Sequence, residues 1–316
     1  MAVIGETLAK QLTNDKLVKG VIQTIVTSSD LLSVLPFQSI QGDGLRYNRE
    51  GITGLPTATF FDREDAWTQS VAVRTEHTAV LKILGGDVDI SEFDRLVYSD
   101  QNDAVAIQVA EMAKSIARAF ESAFVYGGVT GSTKEFTGLH VHTPNQAASD
   151  ATDRAISAAG AALSLDALDQ MIDKVLPGRP DYLMMNRAIL RCINRFYRDN
   201  ASAPQVKGED GRALYDYAGV PILVNDFITM TETAGGSPED VTKSTDSNTS
   251  SIFACKFGPK EFFAIQNQSG ITKENLGTLE TKDAKRWRLR WYCGTALLSI
   301  LATAKVYNIV DLKATV

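Results

Sequence analysis

His140 and His142 stand one residue apart in the run TGLHVHTP. On an extended strand two such imidazoles share a face, an arrangement that suits a metal ion. A third ligand in fixed register is missing, because the remaining histidine, His77, lies far away in sequence. The Gly, Thr and Pro around the pair read as a surface loop. A soluble metal-dependent enzyme using His140 and His142 therefore rests on one short motif. The acidic groups Asp62, Glu64, Asp65, Asp87, Asp89 and Asp94 sit among polar residues. General acid–base work needs a buried, convergent pair, so a solvated face is the expectation. The run from Gly127 to Thr133 imitates a phosphate loop. It follows a helix instead of opening one, so no helix dipole would face an anion. Nucleophile-elbow, Walker-type and dinucleotide fingerprints are absent from the sequence. Cys192, Cys255 and Cys293 are odd in number and widely spaced, which predicts reduced thiols. No catalytic residue, metal site or cofactor is expected.

The stretch Arg286-Trp-Arg288-Leu-Arg290-Trp291 interleaves bases with aromatics, as a nucleic-acid platform would. Its period is two, however, with arginines on one side and Trp287, Leu289 and Trp291 on the other. A strand with a core face and a charged face explains it. Partners for Arg286, Arg288 and Arg290 would be acidic side chains of a neighbouring chain or phosphates. A net charge of −6 argues against a protein whose main affinity comes from neutralising phosphates.

The elements that must position these groups are legible in outline. With 44% apolar and 22% charged residues over 316 positions, the chain can bury a substantial core. No apolar run approaches the ~20 residues that span a bilayer, and no signal peptide opens the chain. Residues 1–40 hold a weakly amphipathic stretch (Leu8 to Ile25) and then LLSVLPF. Polar, glycine-rich sequence follows. GITGLPTATFFDRE, Gly51 to Glu64, carries neither helical nor strand periodicity, yet ends in two adjacent phenylalanines. From Trp67 an alternating pattern to Ile83 predicts one long half-buried strand, broken at Gly85-Gly86. Val105, Val109, Met112, Ile116, Ala119 and Ala123 predict a helix from about 102 to 126 with Ser99 or Asp100 as cap and Gly127-Gly128 as stop. At ~1.5 Å per residue it is nearly 40 Å long, a spine. Asp166–Val175 reads as a helix, DYLMM as a strand, and Arg187–Tyr197 as a helix capped by Asn186. A strand ending at Asp226 contains Pro221, which demands an edge or irregular pairing. Thr231–Ser250 reads as an exposed loop or insert, and strands return from Ser251 to Val310.

Taken in order, these pieces resemble the major capsid proteins of tailed bacteriophages, the Hong Kong 97 fold. The resemblance is carried by DISEFDRLVYSD before the spine helix, FESAFVYGG at its end, and GSTKEFTGL after it. It continues in LDALDQMIDKVLPGRPDYLMMNRAILRCINRFYRDN, GRALYDYAGVPILVNDFI and KRWRLRWYCGTALLSILATAKVYNI. It implies an α+β fold with an N-terminal arm (1–40), an extended two-stranded loop (41–84), a peripheral domain (85–149 and 252–299) holding the spine helix, and an axial domain (150–251 and 300–316). The implied function is a shell subunit that self-assembles as hexamers and pentamers into an icosahedral virion capsid around double-stranded DNA, without sequence-specific binding. A separate scaffolding protein, a portal and decoration proteins are the implied partners, and the host cytoplasm the place of assembly. In such a shell the loop lies across a neighbour, so Arg46, Arg49, Phe60, Phe61, Arg63 and Trp67 become candidate interface residues. Gly42, Gly44, Gly51, Gly54 and Gly85-Gly86 would be deformable joints. No lysine lies between Gly20 and Leu81, so crosslinking through a loop lysine, known in some members, is not expected. An encapsulin-type nanocompartment, which shares the fold, is the alternative; a tail or adhesin component is a further one.

Overall fold

The computed structural model describes residues 30–50, 56–72, 74–92, 104–129, 132–143, 154–199, 206–207, 213–214, 216–234, 241–243, 249–312 and 314–315. The amphipathic stretch of residues 8–25, the caps Ser99 and Asp100, and Asp94, Gly51 and Gly54 lie outside the described residues.

The chain enters through a one-turn helix, Asp30–Val34, and strand β1, Phe37–Ile40. Strands β2, Gly44–Glu50, and β3, Arg74–Val80, form an antiparallel hairpin stem with Gly44 opposite Val80 and Glu50 opposite Arg74. β4, Lys82–Ser91, leaves at Leu81 for a different sheet. That four-stranded sheet runs β1, β14 (Phe262–Thr278), β15 (Ala284–Leu297), β4. The spine helix, Ala104–Tyr126, lies against it and stops at Gly127, where an added Cβ would strike the Phe136 carbonyl at 2.2 Å.

The second sheet is built on β13, Thr249–Cys255, which pairs with β6 (Tyr182–Met185) on one side and β16 (Thr303–Val310) on the other. Beyond β6 come β10, Val220–Val224, and β9, Asp216–Tyr217. β5, Ala155–Ser157, lies along β16, and β11, Glu232–Ala234, joins β13 to β12, Val241–Lys243. β7, Val206–Lys207, pairs with β8, Ala213–Leu214. Pairing of β10 with β6 starts at Ile222, just after Pro221, so the proline interrupts no shared ladder there. Asn186 does cap the helix Arg187–Asp199: its Oδ1 accepts from the Ala188 N–H at 2.8 Å.

Two apolar clusters meet at this sheet. The first joins the spine helix (Ile116, Phe120, Phe124) to Phe262, Leu289, Trp291, Phe253 and Cys255. The second joins the helices Leu165–Asp173 and Arg187–Asp199 to Leu183, Met185, Ile252, Ala254 and Val306. Alternation along β13 thus gives Phe253 and Cys255 to one core and Ile252 and Ala254 to the other.

Three sequence expectations are corrected. The single strand from Trp67 to Ile83 is instead an irregular segment followed by two strands in different sheets. Gly85-Gly86 does not break β4 or loosen it. A Cβ on Gly85 would meet the Leu289 carbonyl at 2.2 Å, and one on Gly86 the Met112 side chain at 2.9 Å. Gly85 lets β4 close on β15 and Gly86 lets it close on the spine helix, which alternation alone does not reveal. The segment from Thr231 to Ser250 is not purely an exposed loop. It contains strands Glu232–Ala234 and Val241–Lys243, and Glu232, Thr249 and Ser250 are buried.

Candidate functional site: the projecting hairpin and its anchors

The stem of the hairpin is held by its own chain. Ala79 packs with Phe263, Ile265 and Ala296 on the side of the four-stranded sheet away from the spine helix, and Leu45 and Tyr47 join them. The Tyr47 hydroxyl donates to the Leu297 carbonyl at 2.9 Å. Arg49 Nη2 donates to the same carbonyl, and the guanidinium lies 5.7 Å from the Tyr47 ring centroid. Gly294 allows the approach, because a Cβ there would meet the Val80 carbonyl at 2.8 Å. Burial raises the Tyr47 phenol above its usual range, with the Arg49 charge opposing, so the hydroxyl stays a donor at neutral pH.

Beyond the stem, residues 56–72 form no strand or helix and are almost wholly exposed. Phe60 is 107% exposed, Trp67 84% and Val71 75%. Phe61 is half-buried because it stacks on Trp67, with centroids 4.6 Å apart. Asp62 and Asp65 close a tight turn: the Asp62 N–H donates to Asp65 Oδ2 at 2.8 Å, and Arg63 projects from it into solvent. Of the residues named from the sequence, Phe60, Phe61, Arg63 and Trp67 share this tip. Arg46 is exposed on the stem, and Arg49 turns inward as an anchor.

The arginines of β15 find partners within the chain. Arg286 holds Asp89 through two bonds of 2.6 and 2.8 Å, and Arg288 holds Asp87 at 2.6 and 2.7 Å. Arg290 Nη2 donates to Glu274 at 2.6 Å. The cross-strand register sets Arg286 opposite Asp89 and Arg288 opposite both Asp87 and Glu274. Fork-to-fork geometry holds both aspartates below the usual carboxylate range. The expected alternation holds, since Leu289 and Trp291 are buried on the opposite face.

His140 and His142 lie on a one-turn helix, Leu139–His142, not on a strand or surface loop. A two-residue step on a helix points them apart. His140 is wholly buried against the Tyr126 ring, its Nε2 3.3 Å from Glu232 Oε1. Glu232 also accepts from the Tyr126 hydroxyl at 2.6 Å and from Ser251 at 2.5 Å. His142 Nε2 lies 3.1 Å from the Thr295 hydroxyl, and burial lowers its pKa to about 3. Lys305 is buried near Glu232, and desolvation brings its amine down to about 7. Among the described residues no three His, Cys, Asp or Glu side chains are grouped to hold a metal. This polar junction between the two cores went unseen in the sequence, where Glu232 stands in a polar run with no periodic signal. The three thiols are buried, and burial pushes each above its ordinary range.

A projecting ribbon over a spine helix, a four-stranded sheet and a second sheet with two outer helices defines a Hong Kong 97-type shell protein. Solved structures that share the fold include three shell proteins. The SrpI encapsulin of Synechococcus elongatus PCC 7942 is 15% identical, with TM-score 0.67 over 90% of this chain and 89% of that one. The capsid of a native GTA particle is 15% identical, with TM-score 0.60 over 91% and 90%. The Microbacterium phage Oxtober96 protein is 13% identical, with TM-score 0.59 over 89% and 90%. No curated protein matches the chain. The family model for the SU10 major capsid protein matches residues 6–244, and the chain belongs to that family. It is a shell-forming structural protein of the virion capsid, not an enzyme.

Proposed function

We propose that this chain is the repeating unit of the icosahedral shell that encloses the double-stranded DNA of a tailed bacteriophage, arranged as hexamers and pentamers. The observation that carries this reading is the hairpin: a stem fixed to its own body and a tip whose Phe60 and Trp67 are exposed to solvent. Such an apolar, outstretched segment is an aggregation hazard on a monomer and a contact on an assembly. Burying each aromatic contributes about 2 kcal/mol by area. Phe60, Phe61, Arg63 and Trp67, with Arg46 on the stem, form the contact on a neighbouring copy, and Arg49 positions them. The first core, with the spine helix, corresponds to the peripheral domain and the second to the axial domain. A separate scaffolding protein and a portal take part in assembly, which occurs in the host cytoplasm.

Replacing Phe60 and Phe61 together by Ser is the test. The expected variant melts as the native subunit does and forms shells at a tenth of the yield or less; native yield would sink the interface role. The encapsulin likeness supports a second reading, a protein-filled nanocompartment. Purified particles that contain DNA distinguish the phage shell from it. Reducing, denaturing gels of mature particles should show a single monomer-sized band, because the loop offers no lysine.

A further inference from the structure

The helix Arg187–Asp199 has two unlike sides. Ile189, Leu190, Cys192 and Ile193 are buried in the second core, while Arg187, Arg191, Arg195 and Arg198 are exposed. Their spacing of four, four and three residues puts four guanidiniums in one stripe, in a chain of net charge −6. Arg187 lies 4.0 Å from Asp226 and Arg191 2.5 Å from Asp311. The side chains of Arg195 and Arg198 make no hydrogen bond or ion pair among the described residues, although the Arg195 charge reaches Asp311. Like charges along one helix side repel, so the end of the stripe at Arg195 and Arg198, which no carboxylate contacts directly, is unfavourable in water.

The helix Leu165–Asp173 packs into the same core and carries the opposite stripe. Leu168, Met171 and Ile172 are buried, and Asp166, Asp169 and Asp173 are exposed. Asp166 accepts from Gln170 at 2.7 Å and Asp169 from Tyr217 at 2.9 Å, but none of the three pairs with a cation among the described residues. The two patterns fit in only one direction. Arg191, Arg195 and Arg198 recur at steps of four and three, and Asp166, Asp169 and Asp173 at three and four. Laid antiparallel, Arg191 meets Asp173, Arg195 meets Asp169 and Arg198 meets Asp166, over roughly 10.5 Å of each helix. Within one chain these pairs do not form.

We propose that the helix Arg187–Asp199 of one copy docks antiparallel on the helix Leu165–Asp173 of the next, a head-to-tail contact that repeats around each ring. An interface of two different patches closes into a ring when its rotation allows. The inference rests on the chain being a shell subunit, and places a second contact on the core that does not carry the hairpin. A nucleic-acid backbone fits the stripe less well. Asp226 beside Arg187 would repel a line of phosphates running the whole helix but lies outside the three matched pairs, whereas a helix offers three carboxylates at matched positions.

A charge-swap cycle tests this in the full chain. Arg198→Glu should cut shell yield at least tenfold at low salt, Asp166→Arg should do the same, and the double variant should recover to within threefold of the native yield. Thermal melting of the unassembled subunits checks folding, and Arg198→Gln, with a smaller loss, covers a misfolded reversal. Loss in both single variants without recovery in the double would overturn the pairing. Normal shells from Arg198→Glu would overturn it too, and if those shells also held less DNA the stripe would belong to nucleic acid. If the Phe60/Phe61 variant fails to assemble while the charge swaps have no effect, the shell reading stands and this contact alone falls.

Discussion

The stem and the tip of the hairpin belong to one ribbon yet are built on opposite principles. In the stem, Ala79 is buried and Tyr47 and Arg49 converge on one carbonyl of the chain's own body. In the tip, the largest apolar side chains, Phe60 and Trp67, face water. The stem is complete within its own chain, whereas the tip, on the proposed reading, takes its partner from a neighbouring copy. Subunit stability and shell formation should therefore respond to different residues.

The sharpest break of this comparison is to replace residues 56–72 with a Gly/Ser linker of equal length. Shell formation should be abolished while the melting temperature of the isolated subunit moves by less than roughly 2 °C, since no tip side chain enters a core. A large drop in melting temperature would show that the tip supports its own subunit. Gly44→Val attacks the stem, because its Cβ would lie 2.6 Å from the Ala79 carbonyl. It should cost about 2 kcal/mol of subunit stability, read by denaturant unfolding, and reduce assembly by misdirecting the tip. Arg49→Ala should cost about 1.5 kcal/mol through loss of a charged donor. Tyr47→Phe, losing one neutral hydrogen bond, should cost about 1 kcal/mol and leave shell yield near native.

Acidity provides a control that neither region should alter. Lys305 titrates near 7 in the folded chain against 10.5 unfolded, so the folded state binds fewer protons between those values. Stability should rise as pH goes from about 7 to about 8; at higher pH the buried thiols and phenols, raised in the folded chain, act in the opposite direction. Burial lowers His140 as well, which adds a further loss of stability as pH falls below 6.5. The slope between about pH 7 and 8 should be the same with the tip replaced and should vanish in Lys305→Met. A slope that persists in Lys305→Met would remove the amine as its source.

Much of this was legible where a repeating pattern had one solvent side. The spine helix spans Ala104–Tyr126 against an expected 102–126, and β15 separates arginines from Leu289 and Trp291 as its period requires. Asn186 announced its helix because capping is a local event. What stayed hidden depends on groups distant in sequence. His140 looks like a loop histidine until Tyr126, Phe253 and Glu232 close over it, contacts spanning up to 113 positions. Gly85-Gly86 looks like a hinge until β15 closes on Gly85 and the spine helix on Gly86. Arg49 looked like its neighbour Arg46, and only the position of the Leu297 carbonyl separates an anchor from a free charge.

One strand sets a limit on how such a particle changes form. Because β13 hands successive side chains to opposite cores, sliding it by a single place would thrust Phe253 and Ile252 into each other's lodgings and empty both. Neither half can creep past the other. The subunit behaves as one stiff tile, and any swelling or flattening of the container falls to the seams between tiles.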